Sequence, residues 1–516
     1  MSVSPISMCT DDVLLTIFSI GGDINRRFSM NKVHETSPIS ITRRSSQVCK
    51  EWRQLILGSS LLWGKLLDLN DLNPGNDRWR KEVLRRTKNA MLHVRVDLDP
   101  AQPVATSLLF DILDKKWSTI RNLEVSTSHS GHYDDERWLA IHRPTDNLRT
   151  IFLDFQTHVP EPLRSTTNVL FSGRAPLLKF ATIRRMTFQL PAQWFSQLYA
   201  FRIAGQYRAS QLMESMSSMS FLEYVELFDL RSDDAEFWPT ISFPQLKHLV
   251  IDGQFAACLK VLSHTTVPPG CGLQILRADR QEYITDADLL AASQVLARYC
   301  ETYFKVHIPT SIRLSIYRAV FDFCNIPAGP NIPSFNLRIE KSNGFSSMDL
   351  PFEAFLNCPF YKVTDLHFDA DANVTFLSSV PKFPNFISLF STLDRLTTQP
   401  AGLKILVETP THNDGILLPS LKTIRVLHLT GESLSQITDF LNWRHAVGAS
   451  IQVLIIILDS RPLLRLNLST LEQYSGLKVV CRRGGQELLE YICGSGTPEK
   501  IDFHYEWSWP HIGNIH

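Results

Sequence analysis

The sequence predicts an α/β chain: a small α-helical module at the N-terminus, then an irregular array of short parallel strands alternating with helices or turns. Three observations carry this. Amphipathic helical stretches fill the first 70 residues. A six-residue apolar pattern then recurs from residue 91 nearly to the end. The chain is 516 residues long, with 44% hydrophobic and 20% charged residues, which is a globular composition and excludes wholesale disorder. That length suits two or three ordinary domains or one long repeat array.

Charge and cysteine usage narrow the class further. Lysine plus arginine equals aspartate plus glutamate at 52 each, so no net field points to nucleic acid or to an acidic membrane. The nine cysteines are scattered without a CxxC pair, the usage expected of free thiols in a reducing compartment. The first apolar stretch, Val13 to Ile20, follows Asp11 and Asp12 and does not read as a leader. The longest strongly apolar run, Val453 to Leu458, falls far short of the roughly 20 residues of a membrane helix. The expectation is a soluble cytoplasmic or nuclear protein.

Thr10 or Asp11 can cap a first helix through Val13, Leu14, Ile17 and Phe18, which Gly21-Gly22 ends. Residues 23–38 are polar and read as a loop. A longer helix is predicted from near Ser40, with Ile41, Ser45, Val48 and Trp52 along one face. The stretch VCKEWRQLILGSSLLWGKLLDL, Val48 to Leu69, follows. Val48, Trp52, Leu55 and Ile56 share a helical face, and Gly58 suits a left-handed cap. Ser59 or Ser60 can cap a short turn bearing Leu61, Leu62 and Trp63. On periodicity alone, this could equally be a hydrophobic hairpin inside a larger core.

Order and spacing add to that reading. A Val-Leu-Leu-x-Ile-Phe helix, a loop, Val-Cys-Lys-Glu-Trp-Arg, then Leu-Trp and a short Leu-rich strand, over about residues 8–69, resembles an F-box. It is most similar to the F-box proteins that fungi of the mushroom class encode in large numbers. Val83-Leu84-Arg85-Arg86-Thr87 and Met91-Leu92-His93-Val94-Arg95-Val96 extend the likeness. Cys9-Thr10 stands where that family usually has Leu-Pro, and the inter-helix loop is longer than usual. The resemblance implies a partner rather than a reaction: the Skp adaptor and, through it, the cullin of an SCF-type ubiquitin ligase. Carried over position by position, the adaptor surface would draw on Leu14, Leu15, Ile17, Phe18, Val48, Cys49, Trp52, Leu62 and Trp63, with Trp52 as anchor. The bland alternative is that some of these only fill the module's own core.

Residues 71–90 read as a linker: a turn at Asn73-Pro74-Gly75, then a basic helix with Trp79, Val83 and Leu84 facing in and Arg85, Arg86 and Lys88 at its end. The recurring pattern, apolar-x-x-apolar-x-apolar, then appears as Met91/Val94/Val96, Ile120/Leu123/Val125, Leu148/Ile151/Leu153, Leu198/Phe201/Ile203 and Leu222/Val225/Leu227. It continues as Leu246/Leu249/Ile251, Val363/Leu366/Phe368, Leu421/Ile424/Val426 and Ile451/Leu454/Ile456, with weaker copies at Leu273/Leu276 and Leu477/Val480. Adjacent clear copies lie about 24–30 residues apart, the period of leucine-rich repeats. One copy cannot bury its own leucines, so the units must stack. This array also resembles the degenerate repeats that follow fungal F-boxes. The expected arcs are 91–276 and 363–500, separated by an atypical region at 277–362. There, residues 281–300 read as one helix after a Thr285 cap, and prolines at 327, 330, 333 and 351 mark loops or irregular repeats.

In such a horseshoe the leucines point inward and the alternate positions line the concave side. This places Thr150, Phe152 and Asp154 there, with Tyr224, Glu226 and Phe228, with His248, Val250 and Asp252, and with Asp365, His367 and Asp369. Such a face would hold a protein substrate. In IQVLIIILD, Val453, Ile455 and Ile457 would also face that side, so the aromatic tail 501–516, with Tyr505, Trp507 and Trp509, is expected to fold back over them. No GxSxG, HExxH or phosphate-cradling motif is present. Cys258, His264 and Cys271 match no standard zinc spacing. The expected protein is a non-catalytic substrate receptor without cofactor or metal, with an F-box-derived scaffold outside any ligase as the alternative.

Overall fold

The computed structural model describes residues 6, 9–21, 37–127, 131, 133–156, 158–165, 167–233, 235–278, 284–327, 329, 332–341, 349–410, 416–429, 433–458, 463–483 and 486–506. It is a mixed α/β chain whose strands are mostly parallel. It divides into two units: Met1–Leu246 with His264–Val267, and Lys247–Ser263 with Pro268–His516.

The first unit opens with α1 (Asp11–Gly21), α2 (Pro38–Ser45), α3 (Lys50–Gly58) and α4 (Ser60–Gly64). Where the spacing from Ile41 to Trp52 predicts one helix, the chain breaks into α2 and α3. The Ser46 hydroxyl donates back to the Arg43 carbonyl at 2.7 Å, and Cys49 is extended at φ −151°. Side chains that bond the nearby backbone compete with helix continuation, which is the physical reason for the break. Cys49 then caps α3, its sulfur accepting the Trp52 N–H. Gly58 is not left-handed either. Ser59, at φ −84° and ψ 95°, follows it directly and caps α4 by accepting the Leu62 N–H at 3.3 Å.

These helices share a small core of Leu14, Phe18, Ile39, Ile56, Leu62 and Trp63. Phe18 meets Trp52 edge-on at 4.9 Å, and the buried Trp63 indole donates to the Ile56 carbonyl at 2.8 Å. After β1 (Leu67–Asp68) and α5 (Leu69–Leu72) comes α6 (Asp77–Thr87), the predicted basic helix. Val83 is buried, Trp79 packs edge-on to Trp63 at 6.2 Å, and the Arg86 guanidinium covers Trp63 at 4.7 Å.

The remainder of the unit contains β2 (Leu92–Asp97), α7 (Pro103–Lys116), β3 (Ile120–Thr127), β4 (Thr150–Phe155), β5 (Phe180–Arg184), β6 (Ala200–Ala204), α8 (Ala209–Met216), β7 (Tyr224–Leu230) and β8 (Ile241–Ser242). Strands β1 to β7 pair in parallel, each with its neighbour in sequence. The register aligns Leu67, Val94, Leu123, Ile151, Ala181, Phe201 and Val225 in one row, all essentially inaccessible. Burying an aliphatic or phenyl side chain in such a row stabilises by about 1.5–3 kcal/mol over leaving it exposed. Short 3-10 turns carry the returns after β3 to β5, and Trp138, Phe171 and Trp194 fill the space beneath the strands. Strand β5 escapes the pattern search because its central core position is Ala181.

The second unit begins with β9 (His248–Gly253) and α9 (Phe255–Ser263); β10 (Thr265–Thr266) belongs to the first unit and pairs in parallel with β8. Next come β11 (Gly272–Ala278), α10 (Asp286–Val306), β12 (Ser311–Tyr317), β13 (Val320–Asn325), β14 (Asn336–Glu340), α11 (Asp349–Glu353), β15 (Asp365–Ala370) and α12 (Lys382–Ser388). The chain continues through β16 (Arg395–Thr398), α13 (Pro400–Glu408), β17 (Thr423–Val426), α14 (Leu434–Ala446), β18 (Val453–Ile457), β19 (Leu463–Asn467), β20 (Lys478–Arg483), β21 (Gln486–Ile492) and β22 (Asp502–Glu506).

Thr285 forms a full capping box with Asp288 at the start of α10, as its position predicts. The described part of the region after it contains three strands joined by short irregular segments, with Pro327 and Pro333 between β13 and β14. β12, β13 and β14 make an antiparallel meander, with β14 parallel to β11 and β12 parallel to β15. Phe304, Phe323, Phe335, Phe355, Phe360 and Phe386 pack beneath it, the closest pair being Phe323 and Phe355 at 4.1 Å. From β15 the order is again simple: β15, β16, β17, β18 and β20 pair in parallel, and β21 closes the edge antiparallel. Strand β16 is hidden in the sequence by Thr398, a fully buried polar residue at a core position. The described part of the tail, β22, pairs antiparallel with β19 and makes no strand pairing with β18. Trp507, Trp509 and the Tyr505 side chain lie outside the described residues.

Candidate interaction surfaces

Helix α1 carries apolar residues on two sides, and only one is used by the core. Leu14 and Phe18 face in, while Val13, Ile17 and Ile20, at offsets of four and three, form a stripe each 45–46% exposed. Val48 at 65% and Leu61 at 69% are exposed on the segments that flank α3. These exposed aliphatics on one short module make it a candidate interaction surface. Of the adaptor positions carried over from the resemblance, Ile17 and Val48 are open and Leu15, Cys49 and Trp52 half-buried. Leu14, Phe18, Leu62 and Trp63 lie beneath them in the core. Val13, Ile20 and Leu61 are exposed positions that the resemblance did not supply.

On the first unit's sheet, the residues alternating with the core row occupy the opposite face. Asp68, Arg95, Glu124, Phe152, Thr182, Arg202 and Glu226 form one such row. Cross-strand ion pairs run through this face: Arg95–Glu124 at 3.8 Å, Arg202–Glu226 at 3.0 Å and Arg184–Asp154 at 3.4 Å. Arg184 also reaches past the small Ala204 to lie over Phe228 at 5.2 Å. Phe152, Glu226 and Phe228 are half-buried, Asp154 is buried and Tyr224 is exposed. Phe180 is exposed too, and with Tyr224 it flanks Ala200 in one register row. Phe180 has no signal in the sequence, because Ala181 hides β5 from the apolar pattern.

In the second unit, His248 and Asp252 are half-buried on β9, and Val250 is buried. On β15, Asp365, His367 and Asp369 stand on one face, all half-buried. The register brings Arg313 of β12 beside His367 and Arg395 of β16 beside Asp365. Arg395 pairs with Asp365 at 3.2 Å. Asp369 accepts from the Tyr317 hydroxyl and from Gln399 Nε2 at 2.6 Å, and Asp322 is 3.7 Å from Arg338. Burial, reinforced by Arg313, holds the His367 imidazole below its usual range, against the pull of Asp369 and Asp365. Burial, with Asp369 beside it, pushes the Tyr317 phenol up to about 12. Arg313, Tyr317, Asp322 and Gln399 carry no motif, and only cross-strand register assembles them.

Cys258 and Cys271 are buried and in no disulfide, and among the described residues no three His, Cys, Asp or Glu side chains converge as a metal site. No helix among the described residues is long and apolar enough to cross a membrane. No protein-family model matches the chain, and a comparison with curated proteins gives no significant match.

Proposed function

We propose that this chain is the substrate-recognition subunit of an SCF-type ubiquitin ligase. The N-terminal helices act as an F-box that docks on the Skp adaptor, and the strands beyond act as a leucine-rich-repeat-like solenoid that captures a protein substrate. The observation that carries the reading is the exposed aliphatic surface of Val13, Ile17, Ile20, Val48 and Leu61 on a helical module whose core is already filled by Leu14, Phe18, Leu62 and Trp63. The parallel strands that pair in chain order, 20 to 30 residues apart from β1 to β7, support the second half.

The chain itself performs no chemistry in this scheme. It holds a target near a separate conjugating enzyme and so raises the effective concentration of the target's lysines there. Docking would bury the α1 stripe and Val48, with Trp52 braced from behind by Phe18.

The test uses the full-length tagged chain with Ile17→Asp and Val48→Asp together, because both sites are open and neither should disturb folding. Trp52→Ala is less clean, since Trp52 packs on Phe18. The double variant should melt like the wild type and lose co-purified adaptor and cullin. Wild-type recovery of adaptor by the folded variant would remove the reading. Recovery of adaptor without cullin by the unmodified chain would favour a scaffold outside the ligase, as would adaptor binding weakened by Cys9-Thr10 in place of Leu-Pro and by the long inter-helix loop.

A further inference from the structure

The solvent face of β12, β15, β16 and β17 carries two arginines that form no close ion pair among the described residues. Arg313, His367, Thr397 and Arg425 are register partners across these four strands and so form one row. Their strand neighbours Ile312, Leu366, Leu396 and Ile424 form the adjoining core row, which turns the arginine row to the opposite face. Nearby carboxylates are engaged elsewhere: Asp365 by Arg395, Asp369 by Tyr317 and Gln399, and Asp322 by Arg338. Among the described residues, neither Arg313 nor Arg425 has an ion-pair partner within 4.0 Å. Arg313 is exposed and Arg425 half-buried. The face therefore keeps two positive charges outside any close ion pair, Arg313 acting on Asp322 only at longer range, at the two ends of a polar floor made by His367 and Thr397.

We infer that this row binds an extended acidic peptide whose two carboxylates are four residues apart, one on Arg313 and one on Arg425. Three inter-strand steps of about 4.8 Å separate the two arginine backbones by about 14 Å. An extended peptide rises about 3.3 Å per residue, so side chains four residues apart on one face lie about 13 Å apart. A spacing of two residues, about 7 Å, does not span the row. Arginine suits the role because its planar fork takes a carboxylate in two parallel hydrogen bonds. A single phosphate at the centre fits less well. It would sit over His367, between Asp365 and Asp369 of the same strand, whose charges oppose a dianion. This inference deepens the reading of the chain as a substrate receptor and rests on it for biological meaning, but the site can be tested without the ligase.

The experiment is fluorescence anisotropy on the full-length chain with labelled seven-residue peptides. The probe carries glutamates at positions 2 and 6 with serine, alanine and glycine elsewhere. The comparison peptides carry glutamates at 2 and 4, lysines at 2 and 6, or a single phosphoserine at 4. The first peptide should bind tightest. Arg313→Glu and Arg425→Glu should each weaken it by about 10-fold or more, and the double charge reversal should instead prefer the lysine peptide. Arg313→Gln and Arg425→Gln give the same direction of loss if a reversal variant does not fold. An affinity indifferent to both arginines overturns the inference. So does tighter binding of the phosphoserine peptide, or no saturable binding up to about 1 mM. Adaptor co-purification is read on the same variants. Its loss in the unmodified chain, with peptide binding intact, would discard the ligase reading and keep the site.

Discussion

Arg444, fully buried near the end of α14, donates from Nη1 to the Leu417 carbonyl at 2.7 Å. The same guanidinium reaches the Ala449 carbonyl at 2.9 Å and the Leu421 carbonyl at 3.4 Å. One side chain therefore ties a helix end to the loops that enter β17 and β18. Burial lowers its pKa to about 10, so it remains charged at neutral pH. Arg444→Met keeps much of the volume but strips donors from three carbonyls, and should cost about 2–4 kcal/mol. The check is the urea midpoint, which should fall with the slope unchanged.

Trp63 separates the core of the N-terminal module from its surface. Trp63→Phe removes the indole donor to Ile56 and should cost about 1–3 kcal/mol, because a buried carbonyl loses its partner. Trp63→Ala should cost about 3–5 kcal/mol. Amide exchange across α3 and α4 should rise in both. Adaptor binding would then be lost through unfolding, unlike the Ile17→Asp and Val48→Asp variant, whose exchange should match the wild type.

Ala181 and Phe201 are opposed in register, a small residue beside a large one. Ala181→Leu should overpack the row at a cost of about 1–3 kcal/mol, and Phe201→Ala should leave a cavity costing about 3–5 kcal/mol. The two together should cost less than their sum, as neighbours sharing one space do. Additive losses in denaturant titration would show that the two positions do not share it.

Glu82 accepts hydrogen bonds from Arg85 and from Arg86 on α6, which hold its carboxyl at about 2, below the ordinary 4.5. A depressed carboxylate contributes stability above its unfolded pKa and loses it as the pH falls through the folded one. The melting difference between the wild type and Glu82→Gln should therefore be small but present at neutral pH, because solvent screens this half-buried surface pair. It should shrink from about pH 4.5 downward and vanish by about pH 2.

Much of the strand plan is legible in the linear chain. Where the leading position and both inward positions are apolar, as at Ile120/Leu123/Val125 or Val363/Leu366/Phe368, the pattern marks a strand; β12, β13 and β14 lack the leading one, with Pro309, Arg318 and Ser334 there. Strands β5 and β16 escape it because Ala181 and Thr398 occupy inward positions. Those residues are acceptable only beside particular neighbours, such as Phe201 across from Ala181. The meander β12–β14 alternates like any strand, so its antiparallel order has no local signature.

What the sequence by itself determined is local: the helical stretches, the Thr285 cap, the inward rows and the absence of catalytic motifs. Tertiary structure alone decided which apolar side of α1 is free, because Leu14/Phe18 and Val13/Ile17/Ile20 carry the same hydrophobic signal. It also decided where α2 ends, through side-chain bonds that hydrophobic periodicity does not register. Above all it decided the row from Arg313 to Arg425. Those residues are 112 positions apart in the chain, and only the pairing of four parallel strands sets them on one face.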